Sequence, residues 1–267
     1  MLKSDIKAIM DCYKILKNRG MKDKNNCLTY EDKIKWLCLF GCTELKSQCA
    51  DKIKVKEYVK NKIGKDISVP ILKIYNNIKE FNIKELPDKF VLKCNHGSGY
   101  NFIVKDKNTS DINKIKSTMD LFQKSDYSMV SGELHYHWIK PLIFAEPYLS
   151  DIMYDYRFYC FNGKPVFMDI VYRGQKPKIY NTYDLNFEPI YNMRREKSDY
   201  NMVEKPKLFS TMLEYAKILC TDFELVRVDF FYIDDNIYHA ELTFTPTAGT
   251  AHFTEKYNLE LGSILEI

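Results

Sequence analysis

Hydrophobic and polar positions along the chain follow two rhythms, and the change falls near residue 85. Before it the spacing is helical: Ile6, Ile9, Met10, Tyr13 and Leu16 recur on one face with lysines between them. Trp36 to Phe40 and Asp51 to Val59 continue the pattern, and Pro70 punctuates it. From Leu86 onward the texture turns to short β-branched and aromatic runs bounded by turn residues. These runs predict strands at 90–94, 101–105, 142–147, 157–161, 165–173, 227–233 and 237–244, with helices over 111–124 and 206–220. The expected class is α+β in three parts: a mainly helical N-terminal region 1–85, a small lobe 86–148 and a larger lobe 149–267.

Two predicted hairpins place charge in an ordered way. In RVDFFYIDDNIYHAELTF (227–244), a three-residue loop Asp234-Asp235-Asn236 sets Asp229 opposite Glu241 and Arg227 opposite Thr243. Val228, Phe230, Tyr232, Tyr238, Ala240 and Leu242 then share the apolar face, while His239 joins the charged one. Like charges directly opposed destabilise a sheet, so the pair calls for a cation. Magnesium suits it, because that ion takes a few carboxylates and completes its shell with water and phosphate oxygens. A solvated face neutralised by Arg227 remains open, as does a register shifted by two. The second hairpin, YDYRFYCFNGKPVFMDIVYR (154–173), turns at Asn162-Gly163-Lys164. Asp155, Arg157, Asp169 and Arg173 share one face, where the arginines either clamp an anion or pair with the aspartates.

Between the first two predicted strands lies FVLKCNHGSGYNFIV. Lys93 leaves the apolar face just before a glycine-rich loop whose backbone N–H groups can converge on an anion. No Gly-Lys-Ser/Thr follows, so this is not a Walker A loop, and Phe102 occupies the third glycine position of a dinucleotide fingerprint. The loop alone does not separate a phosphate flap from a plain hairpin turn.

Composition narrows the function classes. Of 267 residues, 45% are hydrophobic and 28% charged, as in an ordinary globular protein. The net charge of +4 comes from interspersed acids and bases, and no nucleic-acid motif is present, so no nucleic-acid partner is expected. The eight cysteines lack zinc spacing and read as reduced thiols. No run reaches the roughly 18 apolar residues of a spanning helix, and the charged N-terminus does not read as a signal peptide, so a cytoplasmic protein is expected. The basic amphipathic N-terminal helix leaves open a peripheral membrane contact, against packing on its own domain.

The order of the pieces is more specific than any one of them: Asp51-Lys52, FVLKCNHGSG, IFAEPYL, DYRFYCFNGKP, then RVDFFYI and HAELTFTP. From about residue 28 to the C-terminus this resembles the TupA-like branch of the ATP-grasp superfamily, associated with surface polysaccharide synthesis. The resemblance implies two α+β lobes gripping ATP. It implies that Lys52 and Lys93 contact ATP phosphates beneath a flap of His96, Gly97, Ser98 and Gly99, where His96 touches phosphate, touches substrate or shapes the turn. Glu146, Pro147, Tyr148 and Leu149 match the adenine hinge. Asp229, Glu241 and Thr243 match the magnesium ligands, with Thr243 standing where the superfamily has Asn. Arg157 and Arg173 resemble the arginines facing the reacting phosphates, and Arg227 stands beside them as a third catalytic cation.

The implied reaction joins a carboxylate, such as a uronic acid of a glycan, to an amine, such as an amino acid or amino alcohol, through an acyl phosphate. A glycosyltransferase or phosphotransferase of the same context is the rival enzyme. A glycan-binding module drawing on 20 tyrosines and 16 phenylalanines is the non-enzyme reading.

Overall fold

The computed structural model describes residues 3–151, 154–172, 177–250 and 252–267; Arg173 lies outside them. Four helices come first: α1 (Lys3–Asn18), α2 (Tyr30–Phe40), α3 (Glu44–Ala50) and α4 (Val55–Ile63). They are followed by β1 (Lys73–Tyr75), β2 (Phe90–Cys94), β3 (Asn101–Val104), α5 (Ile112–Lys124), α6 (Ser128–Ser131) and β4 (Ile143–Pro147). The remainder is β5 (Tyr154–Phe161), β6 (Lys164–Tyr172), β7 (Tyr180–Tyr183), α7 (Phe209–Leu219), β8 (Leu225–Ile233), β9 (Asn236–Thr243) and α8 (Glu255–Ile264). The strands form two antiparallel sheets, ordered β1-β4-β2-β3 and β7-β6-β5-β8-β9.

The helical region read over 1–85 contains β1, which pairs with β4. Tyr75, Ile78, Phe81 and Leu86 enter one core with Phe90, Leu92 and Ile143. A boundary at 85 therefore runs through the packing of the four-stranded sheet. On α1 the buried stripe is Ala8, Cys12 and Leu16, whereas Ile6, Met10 and Tyr13 are exposed. All eight cysteines are free, and all but Cys42 are buried. No described helix is long and apolar enough to cross a membrane.

One face of the five-stranded sheet is apolar: Tyr156, Phe158, Met168, Ile170, Val228, Phe230 and Leu242 pack with Met212 and Ala216 of α7 and Val59 of α4. The other face is divided. Near the β5–β6 turn, Tyr159, Phe161, Phe167 and Leu225 are covered by Leu16, Tyr30, Leu37 and Phe253. Beyond them the same face becomes polar.

Both hairpins differ from expectation in the same way. Each turn has two residues in the left-handed region, Asn162-Gly163 (φ 51° and 74°) and Asp234-Asp235 (φ 51° and 58°), rather than a three-residue loop. Each then carries a one-residue bulge, with Val166 extra on β6 and Ala240 extra on β9. The shorter turn and the bulge cancel, so Arg157 faces Asp169, Asp229 faces Glu241 and Arg227 faces Thr243, as the sequence predicts. Between bulge and turn the faces exchange. His239 pairs with Phe230 and is buried, and Tyr238 pairs with Phe231. Ile237, not Tyr238, packs on the apolar core, while Val166 packs with the cluster on the opposite side of the sheet.

Candidate active site

Strand periodicity and these registers align one residue from each strand of the larger sheet into a row. Thr182, Asp169, Arg157, Asp229 and Glu241 are consecutive cross-strand neighbours on β7, β6, β5, β8 and β9. Arg227, one pair along, chelates Asp229 through Nε (2.7 Å) and a terminal nitrogen (2.6 Å). The same nitrogen donates to Glu241 at 3.0 Å and to Thr243 at 3.1 Å. Arg157 donates to Asp155 at 2.6 Å and lies 3.8 Å from Asp229. Burial pushes Asp229 up to about 7 against the pull of Arg227, and Glu241 adds to the rise.

This end of the row opens on a cavity of about 760 Å³ between the two sheets. Lys93, Ser98 and Gly99 line it from the β2–β3 side, and Arg157, Arg227, Glu241 and Thr243 line it from the larger sheet. Lys52, in the turn between α3 and α4, connects the two walls: its Nζ donates to the Gly97 carbonyl at 2.7 Å and stands 4.0 Å from Glu241. Burial lowers the Lys52 pKa, against the carboxylate's opposite pull.

A second cluster holds Glu146, which is buried on β4 and accepts from Lys93 (2.5 Å) and Lys56 (2.7 Å). Burial would raise its pKa, but the two ammonium groups outweigh that and lower it. His239 lies by this cluster; burial and Lys56 push it down to about 3, so it is a neutral ring at any ordinary pH. A third cluster is Glu133 with Thr245, whose hydroxyl donates to it at 2.5 Å, near Arg19 from the end of α1. Burial pushes Glu133 up to about 7, against hydrogen bonds from Thr245 and Ser131.

Of the residues singled out from sequence, the cavity lining brings together Lys52, Lys93, Ser98, Gly99, Glu146, Arg157, Arg227, Glu241 and Thr243. Gly97 contributes its carbonyl from just behind the flap, and an added Cβ there would come within about 3 Å of the Tyr100 ring and of Tyr127. Asp229 sits beneath the lining, gripped by Arg227. His96 is not in the lining: it is buried, lies 3.1 Å from the Ser125 carbonyl through Nε2 and meets the edge of Tyr100. Nor does the lining include Pro147, Tyr148 or Leu149; Tyr148 donates instead to Asp151 at 2.8 Å. Lys56, Glu133 and Arg19 were not singled out, because their partners are remote in sequence. IFAEPYL does not announce that a lysine 90 residues earlier will meet Glu146.

Among the described residues no three His, Cys, Asp or Glu side chains are grouped to hold a metal by themselves. Glu241 and the Thr243 hydroxyl are hard oxygen donors on the cavity wall and fit magnesium in its usual protein form. In that form one or two carboxylates hold the ion, and phosphate oxygens and water complete its shell. Both oxygens of Asp229 are taken by Arg227, so Asp229 would join them only on release from that arginine.

The sequence pattern of the TupA-like ATPgrasp family matches residues 32–266. The chain belongs to this family. No curated protein matches this ATP-grasp chain. Among solved structures, D-alanine–D-alanine ligase from Bacillus anthracis complexed with ATP is 16% identical, covering 74% of this chain and 54% of its own, with a TM-score of 0.42. The Helicobacter pylori D-alanine–D-alanine ligase is 17% identical, with coverage of 82% and 61% and a TM-score of 0.44. N5-carboxyaminoimidazole synthetase from Staphylococcus aureus complexed with ADP is 15% identical, with coverage of 74% and 45% and a TM-score of 0.45. The chain thus spans about half the length of the structures it matches.

Proposed function

We propose that the protein is an ATP- and magnesium-dependent ligase that joins a carboxylate to an amine through an acyl phosphate. The carboxylate is a uronic acid or similar acid of a surface glycan or its precursor, and the amine an amino acid or small amino alcohol. The observation that carries the reading is the single cavity in which Lys52 touches both the Gly97 carbonyl of the glycine-rich loop and the neighbourhood of Glu241.

Lys93 and Lys52 supply positive charge for the nucleotide phosphates, and the loop over Ser98 and Gly99 covers them from water that would hydrolyse an activated acyl group. Glu241 with Thr243 alongside, and Asp229 once released by Arg227, would hold magnesium, which would neutralise charge on the transferring phosphoryl group. Arg157 and Arg227 face the cavity from the sheet and stabilise negative charge as it moves from ATP to the carboxylate oxygen. His239 and Phe144 line the cavity near Glu146, where a neutral ring and an aromatic face suit a nucleobase. No protein nucleophile is needed, because the substrate carboxylate attacks phosphorus and the amine then expels phosphate.

The test is a screen of uronic acids against amines with coupled ADP detection, followed by mass analysis of the product. ADP that forms only when both partners are present, with a product lighter than their sum by one water, is expected. ADP release at full rate without a carboxylate overturns the reading.

A further inference from the structure

Glu133 stands apart from the machinery assigned so far. It follows α6, is 6% exposed and lines the cavity. The Thr245 hydroxyl donates to it, and no cation of the described residues comes within ion-pair distance. Arg19, the closest guanidinium in electrostatic effect, is engaged elsewhere, donating to the carbonyls of Ser131 (2.5 Å) and Val130 (3.1 Å). Every other acid of the site has a cation at hand: Asp229 has Arg227, Glu241 has Arg227 and Lys52, and Glu146 has Lys56 and Lys93.

A buried carboxylate with no cation of the described residues beside it is costly, and an amide in its place would accept the Thr245 hydrogen bond equally well. The charge therefore has a use that the folded chain alone does not show. Its position indicates which. Glu146 interacts chiefly with Lys93 and Lys56, whereas Glu133 interacts with Arg19 and Glu241. Thr245 lies two residues beyond Thr243 and both line the cavity with Glu133, so Glu133 adjoins the proposed phosphoryl-transfer centre.

We propose that Glu133 is the recognition site for the ammonium group of the amine substrate. The assignment rests on the ligase reading above and names the partner of an acid that reading leaves unused. An incoming primary ammonium supplies a cation that the described residues do not. It also places the nitrogen beside the carboxylate pair, where the acyl group is activated and where the ammonium, on passing one proton to Glu133, becomes the free amine that attacks.

The test uses the full chain with magnesium, a non-hydrolysable ATP analogue and two small probes, ethanolamine and its neutral counterpart ethylene glycol. Nucleotide binding is read by calorimetry and probe binding by ligand-observed saturation-transfer NMR. Glu133→Gln is expected to weaken ethanolamine at least tenfold, to leave ethylene glycol unchanged and to keep nucleotide affinity within about threefold. Glu133→Asp keeps the charge with a shorter reach and is expected to give an intermediate loss; it carries the test if the glutamine variant does not fold. Nucleotide binding with equal or undetectable ethanolamine binding in wild type and variant overturns the amine site and leaves the ATP reading standing. Absence of nucleotide binding in the wild type overturns both.

Discussion

The two ends of the polar row carry the same chemistry to different purposes. At one end Asp169 is fully buried, accepts from the Thr182 hydroxyl at 2.7 Å and from Arg194 Nε at 2.9 Å, and is closed over by Arg194 lying 4.2 Å above the Phe253 ring. At the other end Glu241 lines the cavity, shares one arginine with Asp229 and Thr243, and stands beside Lys52. Residue type does not separate the two. Closure does: the Asp169 end is completed by protein alone, whereas the Glu241 end finishes at a cavity wall, open to the nucleotide, ion and substrate proposed above.

Breaking the closed end has the largest expected effect on the fold. Asp169→Ala strands the buried Arg194 charge and is expected to cost about 3–5 kcal/mol, read as a fall in the denaturant midpoint. Breaking the open end costs chemistry instead. Glu241→Ala is expected to lower turnover by about 100- to 1000-fold in the ADP assay, with little change in midpoint. A loss of stability as large as that of the Asp169 variant would erase the distinction.

The third prediction concerns pH. Burial, with Glu241 adding to it, outweighs the pull of Thr245, Ser131 and Arg19 and holds the folded pKa of Glu133 at about 7 against an ordinary 4.5. A raised folded pKa contributes stability below the unfolded value and loses it as pH rises through the folded one. Glu133→Gln should therefore match wild type below about pH 4.5, gain on it through pH 7 and hold a lead of about 3 kcal/mol above that. Parallel stability curves for the two proteins would show that Glu133 ionises freely. The smallest effect is expected outside the cavity lining: Tyr148→Phe, which loses only a surface hydrogen bond to Asp151, should shift stability and ATP affinity by less than about 0.5 kcal/mol.

The sequence makes legible what depends on local spacing. Alternation gave seven of the strands and the opposed acids, although the register is right because a shorter turn and an unforeseen bulge cancel. The same bulge hid the buried position of His239, since one extra residue reverses side-chain direction from Ala240 to the turn. β1 is three residues long, too short for periodicity to register, and β7 has the polar pair Asn181-Thr182 at its centre where β3, of the same length, offers the apolar run Phe102-Ile103-Val104. Lys56 and Glu133 escaped for another reason. Each meets its partner across about 90 to 112 residues of chain, and nothing in a lysine's or a glutamate's immediate surroundings foretells a contact made by folding.

The family match begins at Asp32, yet Ala8, Cys12 and Leu16 of α1 are buried in the cluster that caps Phe161 and Leu225 on the larger sheet. Arg19, from the same segment, grips the backbone just ahead of Glu133. The stretch that the family pattern matches is therefore shorter than the stretch that packs together. A chain trimmed to the matched part would uncover apolar side chains at that end of the sheet and free the backbone that Arg19 grips, so the N-terminal helix belongs to the folded unit as fully as the strands it covers.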